Sequence, residues 1–197
     1  NRAILLCSPA VTTDRASLLV LGGARSGKSA YAVSLARESG GRVAFLATAE
    51  ALDREMATRI ERHRRERPGA WLTVEEPVDL VPALRRLADR VDLVVVDCLT
   101  LWVSNLLQRG MADEPILAEA DALAKLLGER HFSLILVSNE VGQGVHPETA
   151  QGLRFRDLLG LVNQRVAAAA DRVLLMVAGC PLTLKAPPVY EPSTDTL

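Results

Sequence analysis

A chain of 197 residues, 49% of them hydrophobic, with a formal net charge of −1, has the length and apolar content of one compact domain. The near-zero charge gives no global field that would draw the chain to nucleic acid or anionic lipid; aromatics are only 4% of it, and no interleaved basic–aromatic surface suggests a single-strand-binding groove. No apolar run approaches the roughly 20 residues that cross a bilayer. Cys7, Cys98 and Cys180 follow neither disulfide nor metal-ligand spacing and read as thiols in a reducing cytosol. The expectation is a cytoplasmic protein with no nucleic-acid partner and no stable membrane anchor.

Residues 1–16 read as a leader or N-terminal extension, 17–185 as the main domain, and 186–197, with three prolines, as a flexible tail. The domain opens on a short apolar strand, Leu18 to Leu21, that runs into Gly22-Gly23-Ala24-Arg25-Ser26-Gly27-Lys28-Ser29. The octet satisfies the phosphate-loop pattern G-x-x-x-x-G-K-[ST]. Its glycines let successive N–H groups curl around a phosphate, and the helix beginning near Lys28 adds the positive end of its dipole. Lys28 supplies a charge for the outer phosphates, and the Ser29 hydroxyl is a ligand for Mg²⁺. A nucleoside triphosphate is the implied ligand.

The helix continues to Glu38 and ends at Ser39-Gly40-Gly41. A buried strand, Val43 to Leu46, then leads into Ala47-Thr48-Ala49 at the strand's carboxyl end, where open α/β sheets bind ligands. From Asp53 to Arg67 both charge signs are dense, without Gly or Pro, and Met56, Ile60, His63 and Arg67 fall on one helical stripe. His63 then has two readings: a half-buried packing residue, or a nucleophile or acid–base group held over the phosphates. The arginines around it are either a solvated face or a means of neutralising a triphosphate.

Pro68-Gly69 ends that helix; Trp71 to Glu75 reads as a strand and Val78 to Arg90 as an amphipathic helix. Leu93 to Val96 is a buried strand with Asp97 at its tip, the shape of a Walker B strand whose acid holds the water shell of the Mg²⁺ on Ser29, unless Asp97 merely begins a turn. A helix over Thr100–Leu107, a loop over Gly110–Pro115 and a helix over Ile116–Glu129 follow. The strand Leu134–Val137 ends in Ser138-Asn139-Glu140, either a substrate-facing segment or an ordinary polar loop. Leu153–Ala170 reads as a helix and Val173–Ala178 as the closing strand. Strands alternating with helices imply a single-domain α/β fold with a mostly parallel, doubly wound sheet.

Taken together, GGARSGKS, FLATA, EMATRIERHRRERP, WLTVEE, VVVDCLTLWVSNLL, VSNEVGQGVHPE and RFRDLLGLVNQRVAAAADRVLLMVAG resemble the bifunctional adenosylcobinamide kinase / adenosylcobinamide-phosphate guanylyltransferase family. The likeness runs in order from about Leu18 to Lys185. The phosphate loop is shared widely; the R-I-x-x-H helix and the block from N-E-V-G onward are more specific. The resemblance implies phosphorylation of the aminopropanol hydroxyl of adenosylcobinamide with ATP or GTP. GMP from GTP is then transferred onto that phosphate, giving adenosylcobinamide-GDP in coenzyme B12 synthesis. It also implies a RecA-like P-loop NTPase sheet and a homotrimer.

By the same resemblance His63 carries GMP as a phosphoramidate, with Lys28 as the other catalytic residue. The nucleotide site would comprise Gly22, Gly23, Ala24, Arg25, Ser26, Gly27, Lys28, Ser29, Ala47, Thr48, Ala49, Arg64, Arg65, Glu66, Arg67, Glu75 and Asp97, with Mg²⁺ on Ser29 and Asp97. Asp97 stands where members commonly carry Glu, and Arg62 where some relatives have a second histidine. Two rival readings are a P-loop small-molecule kinase without nucleotidyl transfer and a RecA-like ATPase module, although the latter wants a basic DNA-facing loop that the near-neutral charge does not supply.

Overall fold

A computed structural model of the chain describes residues 15–50, 61, 64 and 68–186. The elements are β1 (Ser17–Gly22), α1 (Lys28–Glu38), β2 (Val43–Ala47), β3 (Leu72–Glu75), α2 (Leu80–Arg86), β4 (Leu93–Asp97), α3 (Leu99–Gln108), α4 (Asp113–Glu129), β5 (Ser133–Val137), α5 (Ala150–Ala169), β6 (Arg172–Val177) and β7 (Cys180–Lys185). The seven strands form one sheet in the order β3-β2-β4-β5-β1-β6-β7. All neighbours are parallel except β6 and β7. The expected mostly parallel α/β sheet is therefore present.

The apolar strands follow from burial on both faces. Along β4, Val94 and Val96 join the large core under α2–α5, whereas Leu93 and Val95 join the smaller core under α1. Trp102, Leu123 and Leu159 are fully buried in the first; Ala32 of α1 packs with Phe45 in the second. Small alanines let α1 lie close to the sheet, which draws the phosphate loop onto the strand tips.

Several boundaries differ from expectation. Helix α2 starts at Leu80 rather than Val78, because the Glu76 carboxylate accepts the N–H groups of Val78 (3.1 Å) and Asp79 (2.9 Å) and holds them outside the helix. Helix α4 begins at Asp113, inside the expected loop. Pro115 sits in its first turn, where a missing N–H costs little, and Asp113 and Glu114 complement the helix dipole. Helix α5 begins at Ala150, capped by Thr149 Oγ1 accepting the Gly152 N–H at 3.0 Å.

The largest difference is β7, where the sequence reading closed the sheet at Ala178. Ala178 and Gly179 take φ of 49° and 82°, the left-handed pair of a two-residue hairpin turn, and β7 returns antiparallel to β6. Pro181 argues against a strand but is tolerated at the sheet edge. The helical stripe of Met56, Ile60, His63 and Arg67 lies outside the described residues; Glu61 and Arg64 are helical and exposed.

Candidate active site

The carboxyl ends of β1, β2, β4 and β5 form one rim, as the strand order requires. At its centre the phosphate loop leaves β1 at Gly22, whose φ is 152°. A Cβ at Gly22 would lie 2.6 Å from both the Met176 carbonyl oxygen and Ser26 Oγ, so only glycine fits. Gly27, with φ of 95°, turns the chain into α1. No side chain caps the helix, and no acid occupies its first turn. Its first N–H groups therefore stay open to an anion.

The β6–β7 hairpin buttresses this loop: the Gly179 N–H donates to the Ser26 carbonyl at 3.0 Å. On the other side the Glu140 N–H donates to the Gly22 carbonyl, also at 3.0 Å. Lys28 is buried, and its ammonium donates to the Gly23 carbonyl at 2.8 Å, across the loop itself. Ser26 Oγ is buried without a hydrogen-bond partner. A phosphate seated in the loop would give an acceptor to both groups, which is the main sign that the loop fits an anion.

Asp97 ends β4 in register with Ala47 on one side and Val137 on the other. It and Ser29 are both half-exposed. One carboxylate and one hydroxyl are hard oxygen donors that suit Mg²⁺, which keeps waters and takes its other ligands from substrate phosphates. Among the described residues no three acidic, His or Cys side chains cluster as a ready-made metal cage, and this ion needs none. Burial pushes the adjacent Cys98 thiol up to about 12, with the Asp97 carboxylate acting the same way and Lys28 opposing it. Lys28 and Asp97 thus lie within electrostatic reach of one point.

Of the segment after β2, Ala47 and Thr48 are buried and Ala49 is half-exposed. The Thr48 hydroxyl donates to the Cys98 carbonyl at 2.7 Å and accepts the Cys98 N–H at 2.8 Å. The Thr48 carbonyl takes Asn105 Nδ2 at 2.8 Å. Its side chain thus ties β2 to β4. The Asp97–Cys98 peptide is cis.

Arg64 and Glu75 form an ion pair, and both line a cleft of about 570 Å³ with Pro68, Gly69, Trp71, Thr73. That cleft lies at the β3 edge of the sheet, with β2, β4 and β5 between it and β1. Four strand spacings of about 4.8 Å place β3 roughly 19 Å from the loop strand. The phosphate loop, Ala49 and Asp97 are thus brought to one rim, while Arg64 and Glu75 form a separate station along it. His63, Arg65, Glu66 and Arg67 lie outside the described residues.

Sequence reasoning missed the hairpin buttress and the polar network behind the loop. In that network Thr100 Oγ1 accepts the Asn139 N–H at 2.7 Å, and Asn163 Nδ2 donates to the Asn139 carbonyl at 3.0 Å. These contacts join residues 24 to 39 positions apart, which no local pattern signals.

Residues 18–184 match the model of the cobinamide kinase / cobinamide phosphate guanyltransferase family. The chain belongs to this family. A bifunctional adenosylcobalamin biosynthesis protein of Pseudomonas aeruginosa is 47% identical over 173 residues, covering 87% of this chain and 98% of the relative. A protein of the same description from Escherichia coli K12 is 38% identical over 180 residues, covering 85% and 99%. Among solved structures, a KaiC-like protein from Pyrococcus horikoshii aligns with a TM-score of 0.48 at 17% identity, covering 82% of this chain and 71% of its own. No helix among the described residues of this family member is long and apolar enough to cross a membrane.

Proposed function

We propose that this chain phosphorylates the aminopropanol hydroxyl of adenosylcobinamide with ATP or GTP, then transfers GMP from GTP to the product, giving adenosylcobinamide-GDP. Family membership over residues 18–184, with the phosphate loop intact, carries this reading. In the first reaction the nucleotide phosphates occupy the loop from Gly22 to Ser29. Lys28 exchanges the Gly23 carbonyl for a phosphate oxygen, and the open first turn of α1 supplies N–H donors. Ser29 and Asp97 would hold Mg²⁺, which when bound offsets charge on the transferring group.

In the second reaction neutral His63 attacks the α-phosphorus of GTP as pyrophosphate leaves, forming a P–N bond. An oxygen of adenosylcobinamide-phosphate then displaces the imidazole and takes GMP. Imidazole has a reference pKa near 6.5, so the nucleophilic form dominates at pH 7. Arg64, Arg65 and Arg67 offset the charge of departing pyrophosphate, and Glu66, Glu75 and Ala47 to Ala49 complete the nucleotide site. The ion pair of Arg64 with Glu75 on the wall of a cleft of about 570 Å³ supports this reading.

The working form is a cytoplasmic homotrimer. An edge strand with Leu182 and Leu184 more than half exposed, beside exposed Val177, supports self-association. Intact mass after incubation with GTP tests the central step: the parent should gain one GMP moiety, and His63→Ala should gain none while retaining phosphorylation. A parent that phosphorylates cobinamide but never carries GMP would leave only a small-molecule kinase. Hydrolysis stimulated by DNA and indifferent to cobinamide would indicate an ATPase module instead.

A further inference from the structure

We infer that Glu140 is the base that accepts the proton of the acceptor hydroxyl in the kinase reaction; this rests on the function proposed above. Strand β5 lies directly between the phosphate-loop strand β1 and the Asp97 strand β4. Three residues beyond β5, Glu140 meets the loop's first glycine, its N–H donating to the Gly22 carbonyl at 3.0 Å. The preceding residue is fixed from two helices, by Thr100 of α3 and Asn163 of α5. The backbone that presents Glu140 is therefore held from three directions beside the place the phosphates would take.

The carboxylate itself is poised. Oε1 accepts the Gly142 N–H at 2.6 Å, which sets the plane of the group, and the residue is half-exposed. Other acids of this rim are committed: Glu50 to Arg109, Glu75 to Arg64 and Glu76 to Arg86. Glu140 has no such cation among the described residues. A carboxylate not paired to a cation leaves its second oxygen available to a hydroxyl proton.

Two buried atoms without partners, Ser138 Oγ and Asn163 Oδ1, flank the same segment, one adjacent in sequence and one on the side chain that holds Asn139. Both are polar atoms to which a bound ligand could supply a partner. The acceptor oxygen forms a bond to the γ-phosphorus, the bond from that phosphorus to the β–γ bridging oxygen breaks, the hydroxyl proton passes to the free Glu140 oxygen, and nucleoside diphosphate leaves.

The test measures phosphorylation of adenosylcobinamide and, separately, the GMP adduct formed from GTP alone. Glu140→Gln should lower kinase kcat by about 10²–10³-fold at an unchanged KM for nucleotide. Its GMP adduct should form as in the parent. Glu140→Ala should regain activity with added formate, an external carboxylate. Kinase activity within threefold of the parent in Glu140→Gln would overturn the assignment. So would equal loss of both reactions, or an Ala variant that formate leaves silent. A parent that phosphorylates no corrinoid but hydrolyses nucleotide would instead overturn the function reading, and this assignment with it.

Discussion

The two rims of the sheet solve opposite problems. At the amino ends of the strands, polar groups are satisfied within the chain. Asp171 accepts the Ser17 N–H and hydroxyl, each at 2.8 Å, and pairs with Arg130 at 2.7 Å. Asp92 accepts the Arg42 N–H at 2.8 Å and its guanidinium at 2.9 Å. At the carboxyl ends, Ser26, Ser138 and Asn163 each bury a polar atom without a partner, and Lys28 turns back onto its own loop. One rim closes the fold, and the other leaves bonds to be completed by ligand. Such incompleteness costs stability and is kept where binding repays it.

The largest expected break of this contrast is Lys28→Ala. It should lower both phosphorylation and GMP-adduct formation by at least about 10²–10³-fold, as for other lost transition-state charges. The melting temperature should stay within a few degrees, since the lost bond is internal to a loop. Loss of one reaction alone would show that the two do not share the phosphate loop, and that the cleft at Arg64 and Glu75 holds its own triphosphate.

A second effect separates thiols at the two levels of the sheet. With the Cys98 thiol pushed up to about 12, its thiolate at pH 8 is about one part in ten thousand, whereas Cys180 lies exposed on β7. Peptide-resolved labelling at pH 8 should mark Cys180 promptly and Cys98, partly accessible but with little thiolate, far more slowly. Comparable rates in the native protein would mean that the β4 tip is open. Because folding raises this pKa above 9.0, the contribution of Cys98 to stability is present below pH 9 and lost as pH climbs toward 12.

The phosphate loop was legible because its constraint is local: Gly22 and Gly27 need positive φ, and Lys28 and Ser29 must follow at once. The strands were legible because burial on both faces leaves runs such as Val94-Val95-Val96 with no polar residue. Strand β7 was not, since Pro181 masks it and its pairing with β6 depends on two backbone angles at Ala178 and Gly179. Thr48 read as a ligand-facing residue from its place at a strand end, yet its hydroxyl is engaged with Cys98, fifty residues away. The anchoring of Glu140 by Gly22, and of Asn139 before it by Thr100 and Asn163, is likewise invisible to any sequence window.

Removing Asp171 tests the closed rim. Burial draws its carboxyl upward, but the hydrogen bonds from Ser17 and Arg130 outweigh this and hold it below the ordinary range. Asp171→Ala strands the Ser17 N–H and leaves the Arg130 guanidinium only the Arg15 carbonyl, a loss of about 2 kcal/mol. At this chain length the melting temperature should fall by roughly 4–8 °C. Both activities should persist at 25 °C. A variant that melts normally but loses GMP transfer would contradict the division of labour between the rims.

The smallest effect is a matter of pH at the same rim. The Arg42 guanidinium, hydrogen-bonded to Asp92, holds that carboxyl at about 2 against an ordinary 3.8. A depressed folded value means that the unfolded chain takes up the proton first as pH falls. The contribution of the pair is therefore complete above pH 3.8 and disappears on descent toward pH 2. Both side chains are substantially exposed, so solvent and salt screen the pair and the slope it adds is shallow. Melting temperature followed from pH 5 to pH 2 should fall less steeply for Asp92→Asn than for the parent, and the two curves should converge at the acid end. Adding salt should narrow the gap at pH 5. A gap that persists undiminished at pH 2 would assign the effect to the altered packing of the amide rather than to charge, since an asparagine oxygen can still accept the Arg42 N–H.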